Sequence, residues 1–173
     1  NLKGEISLKS KASETTVQST EFNSLTITDN GIGFNEEEFK RFNTFKLTNK
    51  GYKNLGSGRI QYVHYFDTTS VKSVFQKEEA FFERDFVVSK REDFLKQNAI
   101  VKHRHCNEIE TTETGTTVVF STLLEKSGIY NELNEHTLKE KLLERYIHYF
   151  CYNKGKLPKI KIEFYVHSKL KGE

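Results

Sequence analysis

The chain has 173 residues, of which 29% are charged and 35% hydrophobic, a composition that predicts a soluble globular protein of one domain's length. No apolar run approaches the length of a membrane span and the N-terminus lacks a secretion-signal segment, so we expect no membrane association. The formal net charge of +3 is spread along the chain, which supports nucleic-acid binding only weakly without excluding it.

Two cysteines, Cys106 and Cys151, do not make a disulfide framework, so we expect a reducing, cytoplasmic environment. The sequence begins with Asn and contains no Met. We therefore expect a fragment of a longer protein, or residues that are missing from this numbering.

The first half of the chain predicts a hairpin, a short helix, a loop and a second helix. The runs "EISLKSK" and "SLTIT" alternate like two strands joined by the polar stretch "ASETTVQSTEFN". The stretch "NEEEFKRF" predicts a helix capped by Asn35, with Glu38 three positions later and Phe39 and Phe42 on one face. The segment "NTFKLTNKGYKN" is typical of a mobile loop, and "GSGRIQYVHYF" of a glycine loop that enters an aromatic helix.

The second half predicts mainly strands. The strand-like runs are "SVKSVF", "AFFERDFVV", "AIVKHRHCNEIETT", "TTVVFST" and the closing "KIKIEFYVH", with "REDFLKQ" as a helical turn. Residues 137–150 predict a helix with a capping box of Thr137 and Glu140. Its expected apolar face consists of Leu138, Leu142, Tyr146 and Phe150. We predict an α+β fold, a two-layer α/β sandwich with a mixed, mostly antiparallel sheet and helices on one face.

The stretch "ITDNGIGFN" contains the pattern Asp29-x-Gly31-x-Gly33. Asn-Gly after a short strand is a strong signal of a hairpin turn, which is the structural alternative. A plain turn, however, needs neither the second glycine nor an aspartate at the strand end. Such a carboxylate can accept a hydrogen bond from an exocyclic amine such as that of adenine, and glycines let the backbone approach a flat ring.

Two further glycine elements follow. "GSG", residues 56–58, enters a helix, and backbone N–H groups at a helix N-terminus can bind phosphate, although a lone "GSG" is more often a flexible loop. In "TGTTVVF", Gly115 ends a turn and the Thr116 hydroxyl stands at a strand start, where it can bond a base or a water. Each element alone is a weak signal.

In this order and spacing, the three elements resemble the ATP-binding domain of the GHKL superfamily (gyrase, Hsp90, histidine kinase and MutL), with its Bergerat fold. "DNGIGF" is similar to the family's D-x-G-x-G box, "NLGSGRIQYVHYF" to its second glycine box and "TGTTVVF" to its late G-T box. The resemblance covers roughly residues 1–122. It is nearer to Hsp90-like members and their bacterial relatives than to histidine kinases, whose G-L-G-L-type sequence is absent here.

The resemblance implies that Asp29 binds the adenine amino group, that Gly31 and Gly33 give the base close access, and that Thr116 supports Asp29 through a shared water. The implied phosphate-binding residues are Gly56, Ser57, Gly58 and Arg59. Residues 43–55 would be the ATP lid, with Lys46, Lys50 and Lys53 in reach of a γ-phosphate, although lysines in a loop are more often only a solvated surface.

The family's first motif lies on a helix that carries a Glu, which activates water, and an Asn, which holds Mg²⁺. The stretch "NLKGEISLKSK" looks like the strand that follows this helix, so Glu5 is not assigned the role. We expect the general base and the metal ligand upstream of Asn1, and no metal ligand in this chain. A real loss of the motif would leave a nucleotide-binding pseudoenzyme.

Other candidate sites are weaker. "HRHC" would place His103 and His105 on one face of a strand as a metal pair, with Cys106 on the other face in the core, but no second ligand pair accompanies them. The 14 Phe and 8 Tyr residues could stack on nucleic-acid bases, although Phe39 and Phe42 fall at core-like spacing.

The sequence therefore predicts an Hsp90-like ATP-binding domain at residues 1–125, with residues 126–173 as its end or the start of the next domain. The implied mechanism is lid closure over Mg-ATP, slow hydrolysis and a signal to other domains of a larger bacterial protein, and the implied assembly is a homodimer. The alternative is a non-catalytic protein- or nucleic-acid-interaction module whose glycines only make turns.

Overall fold

The structure is a computed structural model that describes residues 2–9, 19–44, 58–96, 100–124, 134–154, 159–166 and 169–172. The chain forms two compact units. Unit 1 comprises Asn1–Thr26 and Lys126–Glu173, and unit 2 comprises Ile27–Glu125. Within the described residues, no helix is long and apolar enough to cross a membrane.

The described residues of unit 1 form strands and one long helix. Its elements are β1 (Leu2–Lys9), most of β2 (Ser19–Asp29), α4 (Glu135–Tyr152), β7 (Ile162–Val166) and β8 (Lys169–Gly172). β1 lies between β2 and β7. The first two strands are therefore neighbours, as the predicted hairpin requires. β1 pairs in parallel with β7, and β7 pairs antiparallel with β8. β2 begins at Ser19, earlier than the run "SLTIT" indicates, so part of the predicted connection is strand.

Among its described residues, unit 2 contains the end of β2, four further strands and three helices. Its elements are α1 (Glu36–Asn43), α2 (Gly58–Tyr65), β3 (Phe66–Lys77), β4 (Ala80–Ser89), α3 (Glu92–Leu95), β5 (Val101–Ile109) and β6 (Gly115–Leu123). These four strands are antiparallel in the order β5-β4-β3-β6. β3 and β4 are rich in β-branched and aromatic residues, which suit a pleated, buried surface.

One face of the unit 2 sheet carries the core. Val71, Phe86 and Val88 are almost fully buried there. The half-buried apolar side chains that pack on them are Phe34, Phe39, Phe42, Val63, Val101 and Val118. Because these include residues of α1 and α2, both helices lie on this face, which we call the helix face. The predicted α+β class, with a mostly antiparallel sheet and helices on one face, is confirmed.

The helix α1 begins as the sequence predicts. The Asn35 side chain accepts a hydrogen bond from the Glu38 backbone N–H at 2.9 Å, which satisfies one of the free donors of the first turn. The buried Arg84 of β4 forms an ion pair with Glu36, and its guanidinium carbon lies 4.4 Å from the centre of the Phe39 ring. A charge pair and a cation–π contact therefore hold α1 against the sheet.

The predicted cap of α4 is wrong. The helix begins at Glu135, and Asn134 is its N-cap, since the Asn134 side chain accepts hydrogen bonds from the N–H groups of His136 and Thr137. Thr137 is the third helical residue and bonds back to the Asn134 N–H, so it completes the capping box instead of opening it. The expected apolar face is also interrupted, because Tyr146 has non-helical dihedral angles at a kink and is half exposed.

The ring of Tyr62 in α2 lies within the aromatic layer on the helix face. Its centre is 5.0 Å from that of Phe120 and 6.3 Å from that of Phe42. Burial raises the pKa of the Tyr62 phenol above its ordinary value, because desolvation disfavours the phenolate. The Tyr62 phenol therefore keeps its proton to a higher pH in the folded protein than in the unfolded chain.

We expect this burial to make stability fall at alkaline pH. The unfolded chain loses the Tyr62 proton at about pH 10, lower than the folded protein does. The contribution to the free energy of unfolding is therefore complete below about pH 10 and is lost as the pH rises through the folded pKa. Urea titrations from about pH 8 to about pH 11 should show a steeper decline for the wild type than for Tyr62→Phe. Equal slopes would contradict the prediction.

Candidate functional site

Asp29 is the last residue of β2, and its side chain is exposed. Its Oδ1 accepts a hydrogen bond of 2.7 Å from the Gly31 N–H, which fixes the carboxylate over the start of the glycine loop. A Cβ atom on Gly31 would lie 2.8 Å from this Oδ1. The absence of a side chain at Gly31 therefore lets the carboxylate hold this position at the strand end.

Gly33 lies directly on β3. Its φ angle is +74°, in the left-handed region that favours glycine, and a Cβ atom there would be 2.1 Å from the Val74 carbonyl oxygen. The loop can therefore approach the backbone of β3 only with glycine at this position. Gly33 thus has a packing role against the protein's own sheet, in addition to any role toward a ligand.

The structure brings the first and third glycine elements together. A Cβ atom on Gly115 would lie 2.4 Å from the Asp29 carbonyl oxygen, so β6 starts in contact with the end of β2. The Thr28 and Thr117 hydroxyl oxygens are 3.3 Å apart and so share one face. Because successive side chains alternate along a strand, Asp29 and Thr116 both project from the opposite face. Thr116 is buried and pairs with Ser73 of β3 in the strand register.

Ser73 is a residue of this site that the motif analysis missed. Its Oγ accepts a hydrogen bond of 2.7 Å from the Phe34 N–H, directly after the glycine loop, and lies 2.9 Å from Thr116 Oγ1. A single serine in "SVKSVF" matches no motif. The signal that could have identified Ser73 is its position between Val71 and Phe75 on the buried face of the strand. A buried hydroxyl group requires a hydrogen-bonding partner, so such a serine is expected to contact another polar group.

The second glycine element is described only in part. α2 begins at Gly58, which agrees with the predicted entry of a glycine loop into a helix. Gly56, Ser57 and the predicted lid lysines Lys46, Lys50 and Lys53 lie outside the described residues, as does the side chain of Arg59. The phosphate-binding part of the site therefore stays a prediction.

The expected placement of His103 and His105 on one face is wrong. A β-bulge between β4 and β5 pairs His105 with Asp85 but His103 with the next residue, Phe86. Since neighbouring residues of β4 point to opposite faces, the two histidines do too. The His103 ring lies 5.5 Å from that of Phe39, and His105 Nε2 lies 3.4 Å from a Glu83 oxygen.

Cys106 pairs with Arg84, so it lies on the helix face, opposite His105, and is half-buried with a free thiol. Within the part of the chain that the structure describes, no three His, Cys, Asp or Glu side chains are grouped to hold a metal ion. The HRHC stretch thus serves as a strand.

No family model and no curated protein matches the sequence. Among solved structures, the chain is similar to the ATPase region of Saccharomyces cerevisiae topoisomerase II, with 13% identity, a TM-score of 0.48 and 98% of this chain covered. It is similar to the Aquifex aeolicus MutL ATPase domain complexed with ADP, with 15% identity, a TM-score of 0.41 and 97% covered. It is also similar to the ATPase and transducer domains of DNA topoisomerase II from Balamuthia mandrillaris, with 10% identity, a TM-score of 0.48 and 98% covered.

The chain spans 43%, 53% and 42% of the length of these three structures, respectively.

Proposed function

We propose that this chain binds ATP and ADP, with the adenine base at the end of β2. The observation that carries the proposal is the contact between the main chain of Asp29, whose carboxylate is exposed, and Gly115, which stands 86 positions later in the sequence and precedes Thr116. A turn that only reverses the chain does not need this arrangement. The two motifs together make a polar, glycine-lined strand end that is suited to a flat base with an amine donor.

The donor set of this strand end fits adenine. The Asp29 carboxylate only accepts hydrogen bonds, and the exocyclic amine of adenine is a donor. The Gly31 N–H fixes Oδ1 at 2.7 Å, so the carboxylate is oriented before a ligand arrives. Gly31 leaves the space beside the carboxylate without a side chain, and the Thr116 hydroxyl would support Asp29 through a shared water.

The remaining roles rest on the family resemblance. Gly58 and its neighbours Gly56, Ser57 and Arg59 would hold the phosphates at the N-terminus of α2, where backbone N–H groups favour anions. Residues 43–55, with Lys46, Lys50 and Lys53, would close over the nucleotide. In the family that the motifs resemble, a helix ahead of the first strand holds Mg²⁺ and supplies the general base, and slow hydrolysis by this protein would need the same groups.

The larger setting is also part of the proposal. We expect residues 1–125 to belong to an Hsp90-like ATP-binding domain of a cytoplasmic, bacterial protein, with residues 126–173 as its end or the start of the next domain. Lid closure would transmit the nucleotide state to the other domains, and a homodimer would be the closed form.

The test is calorimetric titration of ADP and of a non-hydrolysable ATP analogue, with Mg²⁺, into the longest native chain. We expect Asp29→Asn to weaken binding about a hundredfold, because it removes a charge-assisted acceptor and turns an amide donor toward the amine. Asp93→Asn removes an exposed carboxylate of α3 and should leave the affinity unchanged.

Absence of binding by the folded wild type would overturn the nucleotide proposal. Salt-sensitive binding to DNA or RNA that does not depend on nucleotide would then favour the interaction module. Equal affinities of the wild type and Asp29→Asn for the nucleotide would show that Asp29 does not bind the adenine base.

A further inference from the structure

Arg84 and Ser73 are paired across β4 and β3, and both contact the stretch of chain that leads from the end of β2 into α1. Ser73 Oγ accepts a hydrogen bond of 2.7 Å from the Phe34 N–H. The Arg84 guanidinium forms an ion pair with Glu36, the first residue of α1. One pair of neighbouring strand residues therefore holds the exit of the first glycine element at two adjacent points.

The surroundings of Arg84 are unfavourable for a charge. The residue is only 3% exposed, and its Nε has no hydrogen-bonding partner among the described residues. Its guanidinium carbon lies 4.4 Å from the centre of the Phe39 ring and 5.3 Å from that of Phe75. The side chain of Glu36, which balances the charge, is 72% exposed. Because replacement of buried ion pairs by apolar side chains is often neutral or stabilising, stability alone does not account for an arginine here.

The ion pair does what an apolar contact cannot do, since it fixes where α1 begins. A charge-assisted hydrogen bond has a preferred direction and length, whereas apolar surfaces can slide past each other. Glu36 follows closely after Gly31, whose N–H holds Asp29 Oδ1 at 2.7 Å. A shift of the start of α1 would be passed along this short segment to that N–H. A fixed start therefore keeps the carboxylate oriented before a ligand arrives, which lowers the ordering cost of binding.

We propose that Arg84 is a positioning residue of the adenine site, which fixes the glycine loop beside Asp29 through its ion pair with Glu36. This inference rests on the proposed function, because the base belongs to that site. Arg84 itself touches no ligand, since it is buried beneath α1 and acts through Glu36.

The first test measures ADP affinity by calorimetry and stability by urea unfolding for Arg84→Met. The substitution removes the charge and keeps an unbranched side chain whose sulfur suits the rings of Phe39 and Phe75. ADP binding should weaken about fivefold, because the loop is less well ordered before binding. The urea midpoint should be no lower than that of the wild type. A purely structural role would give the reverse result, a lower midpoint and an unchanged affinity of the folded protein.

Arg104→Met is the matched control. Arg104 Nη1 lies 3.3 Å from Oδ1 of Asp85, which follows Arg84 in β4 and so projects from the opposite face of the sheet. The substitution removes an arginine from an ion pair that does not reach α1, so the ADP affinity should stay unchanged. An equal loss of affinity in Arg104→Met and Arg84→Met would overturn the inference.

The second test is a double-mutant cycle with Glu36→Ala. This substitution leaves the buried Arg84 without its carboxylate, so it should lower the urea midpoint and weaken ADP binding about fivefold. If Arg84 acts through Glu36, Glu36→Ala should cause no further loss of ADP affinity in the Arg84→Met background. Losses that add would contradict the proposed connection.

The outcomes separate this inference from the proposed function. A folded wild type that binds no ADP overturns both together. A wild type that binds ADP with the same affinity as folded Arg84→Met overturns this inference alone. Because Glu36 is exposed, Glu36→Ala decides the question if Arg84→Met does not fold, and an unchanged ADP affinity in that variant would also overturn the inference.

Discussion

Replacement of Gly33 by alanine should lower the free energy of unfolding by about 3 kcal/mol, since two penalties act at one atom. The left-handed backbone at φ +74° is costly for a residue with a Cβ atom. The new methyl group would also lie 2.1 Å from the Val74 carbonyl oxygen, a backbone atom that cannot move aside without distorting β3. Urea denaturation of Gly33→Ala measures the loss.

Gly31→Ala is the matched control for this variant. Its added methyl group would meet only Oδ1 of the exposed Asp29, which can rotate away. We therefore expect a stability loss of about 0.5 kcal/mol. Nucleotide affinity should still fall, because the carboxylate leaves its hydrogen bond with the Gly31 N–H. Equal stability losses in the two variants would contradict the assignment of Gly33 to packing and Gly31 to the carboxylate.

Replacement of Phe86 by alanine should cost about 3–5 kcal/mol, the range for a buried aromatic residue that leaves a cavity. Phe86 has no exposed surface, and its ring centre lies 5.4, 5.0 and 5.3 Å from those of Phe34, Phe39 and Phe42. The cavity would therefore lie between the sheet and α1.

The control for Phe86 is Phe86→Leu, which keeps most of the volume and should cost about 1 kcal/mol. Chemical denaturation of both variants gives the two losses. A loss below about 1.5 kcal/mol for Phe86→Ala would mean that the site collapses around the deletion, contrary to the packing described here.

Local signals in the sequence sufficed for most elements of unit 2. The Asn35 cap, the aromatic face of α1 and the strand character of β3 and β4 all depend on neighbouring residues, and the structure agrees with them. Because these signals are local, they also located Asp29 at a strand end and Gly58 at a helix start.

The features that sequence reasoning missed depend on contacts between distant residues or on competing local signals. The bulge that places His103 and His105 on opposite faces follows from the register of β5 against β4. The stretch "HRHC" contains no glycine or proline that would indicate a bulge. Ser73 acquires its role only because β6 places Thr116 opposite it. At the start of α4, Asn134 and Thr137 are both residue types that favour the N-cap position, and they lie three positions apart. The N-cap in the structure is Asn134.

The bulge in β5 also bears on how the protein avoids aggregation. β5 is the last strand of its sheet, so its outer backbone groups face no neighbouring strand among the described residues. An unpaired edge of this kind is a template for strands of other molecules. The bulge disturbs the regular spacing of those groups, and the exposed Lys102, His103 and Arg104 place cationic or ionisable side chains along the same strand. A strand of another molecule would meet an interrupted backbone pattern and charged side chains at this edge, which disfavours continuous extension of the sheet into fibrous assemblies.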